Sequence, residues 1–256
     1  MVKKDTVLYY ATNDEEKLLL SHLYDNYVKT YTKNYSTYSD FFGEEKTALI
    51  KTAFASERDL IFDTYGGFEG AERVISAFLV NEDNKDYPIK CLKVTGRDID
   101  KLTHRDFLGA LMGLGIKRET IGDIITGKES YIFVKEEIAD YILYNLSKIG
   151  NKGVKLEETL TDHIKKEQRF EIISTTVESL RLDLIISRTF NIRRADAASL
   201  ISQGKVAVSG RYGMGSDYKV KENDKISVKG KGKAVFFEEC GLSKKGKIII
   251  SIKKYI

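Results

Sequence analysis

The chain has 256 residues, 42% hydrophobic and 31% charged, with two cysteines and a formal net charge of +4. That much apolar material builds a core and excludes wholesale disorder, and the length allows one large domain or two to three small ones at about 150 residues each. The N-terminus, Met1-Val2-Lys3-Lys4-Asp5, lacks the apolar region of an export signal, and no apolar run approaches the ~20 residues of a membrane span. Cys91 and Cys240 therefore read as free thiols in a reducing cytoplasm, against secretion and disulfide scaffolding.

The elements follow in chain order. Asn13, with Glu16 three residues later, fits a capping box. Leu20, Leu23, Tyr24, Tyr27, Val28 and Tyr31 then recur at helical spacing, which predicts that the tyrosines pack in a core rather than stack on bases. Asn34-Tyr35-Ser36-Thr37 is a polar break. A second helix is expected over Glu44 to Ala55, burying Leu49, Ile50, Ala53 and Phe54. Gly66-Gly67-Phe68-Glu69-Gly70 breaks the pattern again.

A different rhythm follows. Val74 to Val80 and Ile89 to Val94 look like strands, separated by a polar turn with the only proline, Pro88. Thr103 to Leu114 looks helical. Ile121 to Ile125 and Tyr131 to Val134 read as strands around a turn at Gly127-Lys128. Lys135 to Ile149 reads as a helix, with Ile138, Ile142 and Leu146 on one stripe and Tyr141 beside it. Val154 to Leu156 returns as a strand. This mixture predicts an α+β sandwich whose order is loosely like an RNA-recognition fold.

The polar stretch Glu157 to Gln168 leads to a strand at Phe170 to Val177. Helices are expected over Ser179 to Phe190 and Arg193 to Gln203, the second closed by Gly204 at its C′ position. Val206 to Val208 begins a strand that turns at Ser209-Gly210. Ile226 to Val228, Ala234 to Phe237 and Ile248 to Ile252 complete the set.

Several motifs resemble catalytic ones and fail on a required residue. Gly122 to Lys128 matches a phosphate-binding loop, but Glu129 stands where Ser or Thr must hold magnesium, and a strand follows where a helix is needed. His104-Arg105-Asp106 resembles a kinase triplet, yet Leu111 replaces the required asparagine. Gly113-Leu114-Gly115 lacks the third glycine of a dinucleotide fingerprint, since position 118 is Arg118. His22, His104 and His163, taken with the two cysteines, show no zinc spacing. No Gly-x-Ser-x-Gly elbow occurs, so nothing demands an enzyme, a cofactor, a metal or a small-molecule substrate.

The charge is uneven. From Glu178 to the end stand 17 Lys and Arg against 8 Asp and Glu, a net of +9; the remainder has 25 against 30, a net of −5. A basic tail on an acidic body points to a polyanion partner.

That tail carries a spaced pattern: Arg181-Leu182-Asp183, Arg193-Arg194, Ala197-x-x-Leu200-Ile201, Gly204-Lys205-Val206-x-Val208-Ser209-Gly210 and Asp224-x-Ile226-x-Val228. It resembles the S4 RNA-binding domain. Arg193 replaces the usual serine and Ser209 the usual asparagine of that pattern. Leu182, Ile185, Ala197, Leu200 and Ile201 fit two packed helices. Arg181, Arg188, Arg193, Arg194, Gln203, Lys205 and Arg211 are the candidate RNA-binding residues, since guanidinium groups match phosphate oxygens and stack on bases. Asp183 is expected to orient an arginine, because it would repel phosphate.

Thr103 to Arg118 with Ile121-Gly122-Asp123-Ile124, and Gly66 to Arg73 upstream, resemble the signatures of the YlmH family. The resemblance spans essentially the whole chain. It implies a helical N-terminal domain (1–70), a central RNA-recognition-like domain (71–177) and a C-terminal S4 domain (178–256). It also implies a non-enzymatic, cytoplasmic bacterial protein that binds rRNA and tRNA and acts on stalled large ribosomal subunits. His104, Arg105, Lys117 and Arg118 are candidates for a second RNA patch or for capping and packing roles. S4 domains also occur in RNA-modifying enzymes such as pseudouridine synthases, and genomic neighbourhood links the family to cell division. Those are the competing expectations.

Overall fold

The computed structural model describes residues 1–82, 85–161, 164 and 170–255. His163, and the end of the polar stretch that contains it, lie outside them. The chain divides into two compact units, Met1–Lys166 and Glu167–Ile256. Among the described residues, no helix is long and apolar enough to cross a membrane.

The first unit opens with α1 (Lys4–Leu8), α2 (Asp14–Lys33), β1 (Thr37–Phe42), α3 (Glu44–Ala53), β2 (Ile61–Tyr65) and β3 (Val74–Leu79). The Asn13 side chain accepts from the Glu16 amide at 2.9 Å, and the Glu16 carboxylate reaches back to the Thr12 amide at 2.7 Å, one residue beyond the usual box. Asn34 ends α2 in the left-handed region. Tyr27 is fully buried among Leu20, Ile50, Phe54 and Phe78, as expected for the helical tyrosines, and Tyr24 packs half-buried beside them, but Tyr31 is exposed.

This region is not purely helical. Its three strands form an antiparallel sheet in the order β1-β3-β2. β1 escapes a hydrophobicity reading because two of its three inward positions are polar. Thr37 and Ser39 are buried beside Phe41, and they are satisfied by the Thr30 hydroxyl at 2.8 Å and the Ser76 amide at 2.9 Å. β3 joins this sheet, which therefore runs past residue 70.

The unit continues with β4 (Ile89–Gly96), α4 (His104–Gly113), β5 (Ile121–Ile125), β6 (Ser130–Lys135), α5 (Glu136–Asn145), β7 (Lys148–Ile149) and β8 (Lys152–Thr159). α5 is shorter than expected, because the chain turns at Gly150 so that β7 pairs with β8. The sheet order β5-β6-β4-β8-β7 contains the βαββαβ topology of RNA-recognition-like folds. α4 and α5 cover one face, packing Phe107, Leu111 and Ile142 against Leu92, Val94, Ile132 and Val134. The other face buries Cys91, Tyr131 and Phe133 under Phe68 and Ile164. The Phe68 and Phe133 rings lie 4.6 Å apart.

The second unit comprises β9 (Phe170–Val177), α6 (Leu182–Thr189), α7 (Arg194–Ser202), β10 (Val206–Val208), β11 (Lys225–Val228), β12 (Gly232–Leu242) and β13 (Ile248–Tyr255). Its antiparallel sheet has the order β10-β11-β12-β13-β9. β9, placed before residue 178 in the expected central domain, thus pairs in this sheet. Leu182, Ile185, Ile186, Ala197 and Ile201 pack the two helices on Phe236, Ile250 and Ile252. α7 ends as the sequence implies: Gly204 has φ +65°, and the amides of Gly204 and Lys205 donate to the Ile201 and Leu200 carbonyls, both at 3.0 Å. That is a Schellman closure.

Two glycines test this packing in opposite directions. A Cβ on Gly122 lies 2.8 Å from the Phe41 ring, whereas one on Gly109, inside α4, meets nothing. Gly122→Ala is expected to destabilise by about 1–3 kcal/mol through overpacking. Gly109→Ala is expected to stabilise by about 0.5–1 kcal/mol through helix propensity. Urea unfolding of both variants checks the pair.

Candidate nucleic-acid interface

The basic constellation is organised around one buried carboxylate. The loop between β10 and β11 clips the start of α6: the Leu182 and Asp183 amides donate to the Tyr218 and Ser216 carbonyls at 2.9 and 3.2 Å, and the Val220 amide to the Leu180 carbonyl at 2.9 Å. This places Asp183 in the first turn of α6, almost fully buried. Its carboxylate accepts Arg181 through Nε and Nη2, both at 3.2 Å, Arg194 Nε at 2.9 Å, and the Leu184 amide at 2.9 Å. Burial pushes the carboxyl pKa up, but the hydrogen bonds from Arg181 and Arg194 outweigh it and hold the net value below the ordinary range. Asp183 therefore orients arginines, as the sequence implies.

Arg193 and Arg194 stand at the N-terminal end of α7, where the helix dipole disfavours cations. Two carboxylates offset this. Asp183 takes Arg194, and Asp196 takes Arg193 through two bonds of 2.9 and 3.0 Å. Both arginine side chains stay exposed, at 85% for Arg193 and 51% for Arg194, so guanidinium donors remain turned to solvent.

The other candidates surround the two helices. Arg188 lies exposed in the last turn of α6 and has no ion pair among the described residues. Gln203 caps α7, its amide donating to Ser199 Oγ at 2.8 Å. Lys205 is exposed immediately after Gly204. Arg211 closes the turn after β10, with mutual backbone bonds to Val208 at 2.9 and 3.0 Å. The central residues of that turn, Ser209 and Gly210, have φ +49° and +79°, so serine occupies a left-handed position that suits asparagine better. The Ser209 hydroxyl compensates by bonding Asp224 at 3.2 Å. The turn survives the departure from the family pattern.

The central candidates fare differently. His104 and Arg105 fall inside the first turn of α4, and Thr103 caps it reciprocally with Asp106. The kinase-like triplet is thus a helix start. Lys117 is exposed beyond the far end of α4, whose ten residues span about 15 Å, so these cations do not form one compact patch. Arg118 is half-buried and donates to the Ile121 and Gly122 carbonyls at 2.7 and 3.4 Å.

Arg73, which the sequence reading did not single out as a site residue, explains this arrangement. It donates to the carbonyls of Ile121 at 2.9 Å, Phe41 at 2.9 Å and Arg118 at 3.2 Å. Its own amide and that of Glu72 donate to the buried Asp123 carboxylate at 3.2 and 2.8 Å. Burial, followed by the adjacent Arg118 charge, pushes the Arg73 pKa down to about 10. The Gly66–Arg73 and Lys117–Asp123 signatures are therefore two halves of one packing knot. The only advance signal was an arginine closing a glycine-rich stretch. Gly122 to Lys128, the phosphate-loop lookalike, is strand β5 and the turn into β6. Among the described residues no His, Cys, Asp and Glu cluster has the makings of a metal site.

Comparison with known proteins places the chain. Residues 83–163 match the family model described as a putative RNA-binding domain in YlmH. The chain is 28% identical over 219 residues to the ribosome-associated protein quality control protein P2 of Bacillus subtilis, covering 83% of this chain and 85% of that protein. A stretch of 52 residues is 40% identical to an uncharacterized RNA pseudouridine synthase of Aquifex aeolicus, only 20% of this chain and 22% of that one. The solved structure of the cell division protein ylmH from Streptococcus pneumoniae superposes with a TM-score of 0.51 at 19% identity, over 59% of this chain and 94% of that one; the likeness is one of fold. The chain resembles the YlmH family.

The buried carboxylate gives a pH signature. The Asp183 carboxyl is held below its ordinary 3.8, so its ionised form stabilises the unit above that value. The contribution is lost as pH falls through the lower folded value. Asp183→Asn is expected to cost about 1.5–3 kcal/mol at neutral pH. The gap to wild type should narrow below about pH 4 in urea titrations; a gap constant down to about pH 2 contradicts the assignment.

Proposed function

We propose that this protein is a non-enzymatic, cytoplasmic RNA-binding factor of the ribosome. Its second unit acts as an S4-type module that docks on structured rRNA and tRNA, in quality control of stalled large subunits. The observation that carries this reading is the Asp183 grip, which fixes Arg181 and Arg194 while leaving guanidinium donors exposed beside Arg193. Arginines held at the positive end of a helix by two carboxylates are poor helix design and good phosphate recognition. Arg188, Gln203, Lys205 and Arg211 extend the same surface along the helix ends and the adjoining turn.

The chemistry favours shape and backbone recognition. An A-form duplex offers phosphates and 2′-hydroxyls, which fixed guanidinium forks suit. The −5 remainder of the chain weakens indiscriminate attraction to polyanions and leaves the basic unit to determine binding. His104 and Arg105 at the start of α4 and Lys117 beyond its end are too far apart to act as one patch and contribute as separate contacts at most. The ribosome-associated Bacillus subtilis relative, similar over most of both chains, supports this setting. The pseudouridine synthase likeness spans about a fifth of each chain and lends the enzyme reading no more than a shared segment. A role in division has no support beyond the family's genomic neighbourhood and the name of a fold relative.

Binding of a stem-loop RNA, followed by anisotropy across salt concentrations, tests the reading. Each phosphate contact contributes about 0.7–0.9 to the slope of log affinity against log salt. The combined variant Arg188→Ala, Arg193→Ala, Lys205→Ala is expected to lower that slope by about 2–3. Affinity near 0.1 M salt should fall at least about tenfold, with the urea midpoint unchanged. A slope equal to wild type sinks the proposed interface.

A further inference from the structure

Among the described residues of the second unit, helices cover only one face of its sheet. Ile226, Ala234, Phe236, Ile250 and Ile252 point into the core shared with α6 and α7. Side chains alternate along strands, so their neighbours line the opposite face. The register sets one row there as Lys225, Val235, Lys253 and Ile172 across four strands. The Tyr255 and Phe170 pair stands next to it, with ring centroids 4.8 Å apart. Phe237 falls in the bulge of β12, and Lys253 Nζ sits 3.4 Å above its ring centroid.

This face is unlike an ordinary solvated sheet. Ile172 is 67% and Phe237 37% exposed, and Phe170 and Tyr255 are half-buried. The four-residue row and the ring pair hold two lysines, and Glu238, paired with Ser251, brings a carboxylate only in the next row. Partly exposed rings interleaved with lysines are the chemistry of single-stranded nucleic-acid platforms, where bases stack on aromatic faces and cations follow the phosphates. Protein interfaces are depleted in lysine at their centres, and duplex RNA keeps its bases stacked inside the helix. The corresponding aromatic face of the first unit, by contrast, is closed by Phe68.

We propose that this sheet face binds unpaired RNA nucleotides, with bases stacking on Phe237 and on the Phe170–Tyr255 pair and phosphates meeting Lys253. The proposal rests on the RNA-binding reading above, but it uses the face of the sheet opposite to α6 and α7. The protein would then hold a structured element on its helices and an adjoining single strand on its sheet.

Two probes separate the surfaces: a blunt stem-loop, and the same stem-loop with a single-stranded tail of about ten uridines. For the full-length protein, the tail is expected to raise affinity about tenfold. Phe237→Ala and Lys253→Gln should each remove most of that gain and leave blunt stem-loop binding unchanged. Phe237→Trp gives this tryptophan-free chain one reporter, which should keep the gain and show quenched emission on binding the tailed RNA only. A tail that adds nothing, a gain that survives both variants, or unchanged tryptophan emission overturns the sheet-face site while the helix-face reading stands. Failure of both probes to bind overturns the RNA reading itself.

Discussion

A carboxylate taken out of water must be matched by donors, and this constraint sorts the arginines of the protein. Leaving such a group unpaired is far more costly than any single surface contact gains. In the first unit, buried Asp123 is matched by the backbone amides of Glu72 and Arg73. Arg73 and Arg118 then spend their donors on carbonyls. In the second unit, buried Asp183 is matched by guanidinium groups themselves, which hold their free edges outward. The same requirement yields a packing knot in one place and, on the reading advanced above, a phosphate-binding surface in the other.

The five-stranded sheet of the first unit shows why topology alone does not locate an interface. Its βαββαβ order belongs to a fold whose sheet often stacks bases on exposed aromatics. Here Tyr131 and Phe133 occupy that face but are buried, at 6% and 0% exposure, beneath Phe68. Gly67 allows this cover, because a Cβ there lies 2.5 Å from the Phe133 ring. The glycine-rich signature before β3 therefore serves packing. The rings on this sheet face are closed to bases, and the exposed rings of this region, Tyr141 and Tyr144, lie on α5 instead.

Local chemistry was legible and distant pairing was not. Asn13, Thr103 and Gly204 marked helix ends because caps depend on neighbours within a few residues. The turn at Gly127-Lys128 was separable from a phosphate loop because Glu129 and the strand after it broke the requirement. β1 stayed hidden because Thr37 and Ser39 face inward and hydrophobicity does not register them. The end of α5 was missed because Leu146 and Ile149 stay buried after the helix stops, so the apolar pattern outlasts it. In the basic tail, spacing indicated which residues mattered, but not that Asp183 grips Arg194 from 11 residues away. Arg118 looked like a surface cation because its role depends on Arg73, 45 residues upstream.

The central claim is that RNA meets this protein through arginines that a buried carboxylate holds outward, and not through those knotted inside the first unit. Ultraviolet crosslinking of the intact protein bound to ribosomes, with adducts mapped by mass spectrometry, tests it most directly. The account expects adducts between Arg181 and Arg211, concentrated around Arg181 and Arg194, and none on Tyr131 or Phe133. Adducts confined to residues 89–159, with the segment from Arg181 to Arg211 unmodified, would contradict it.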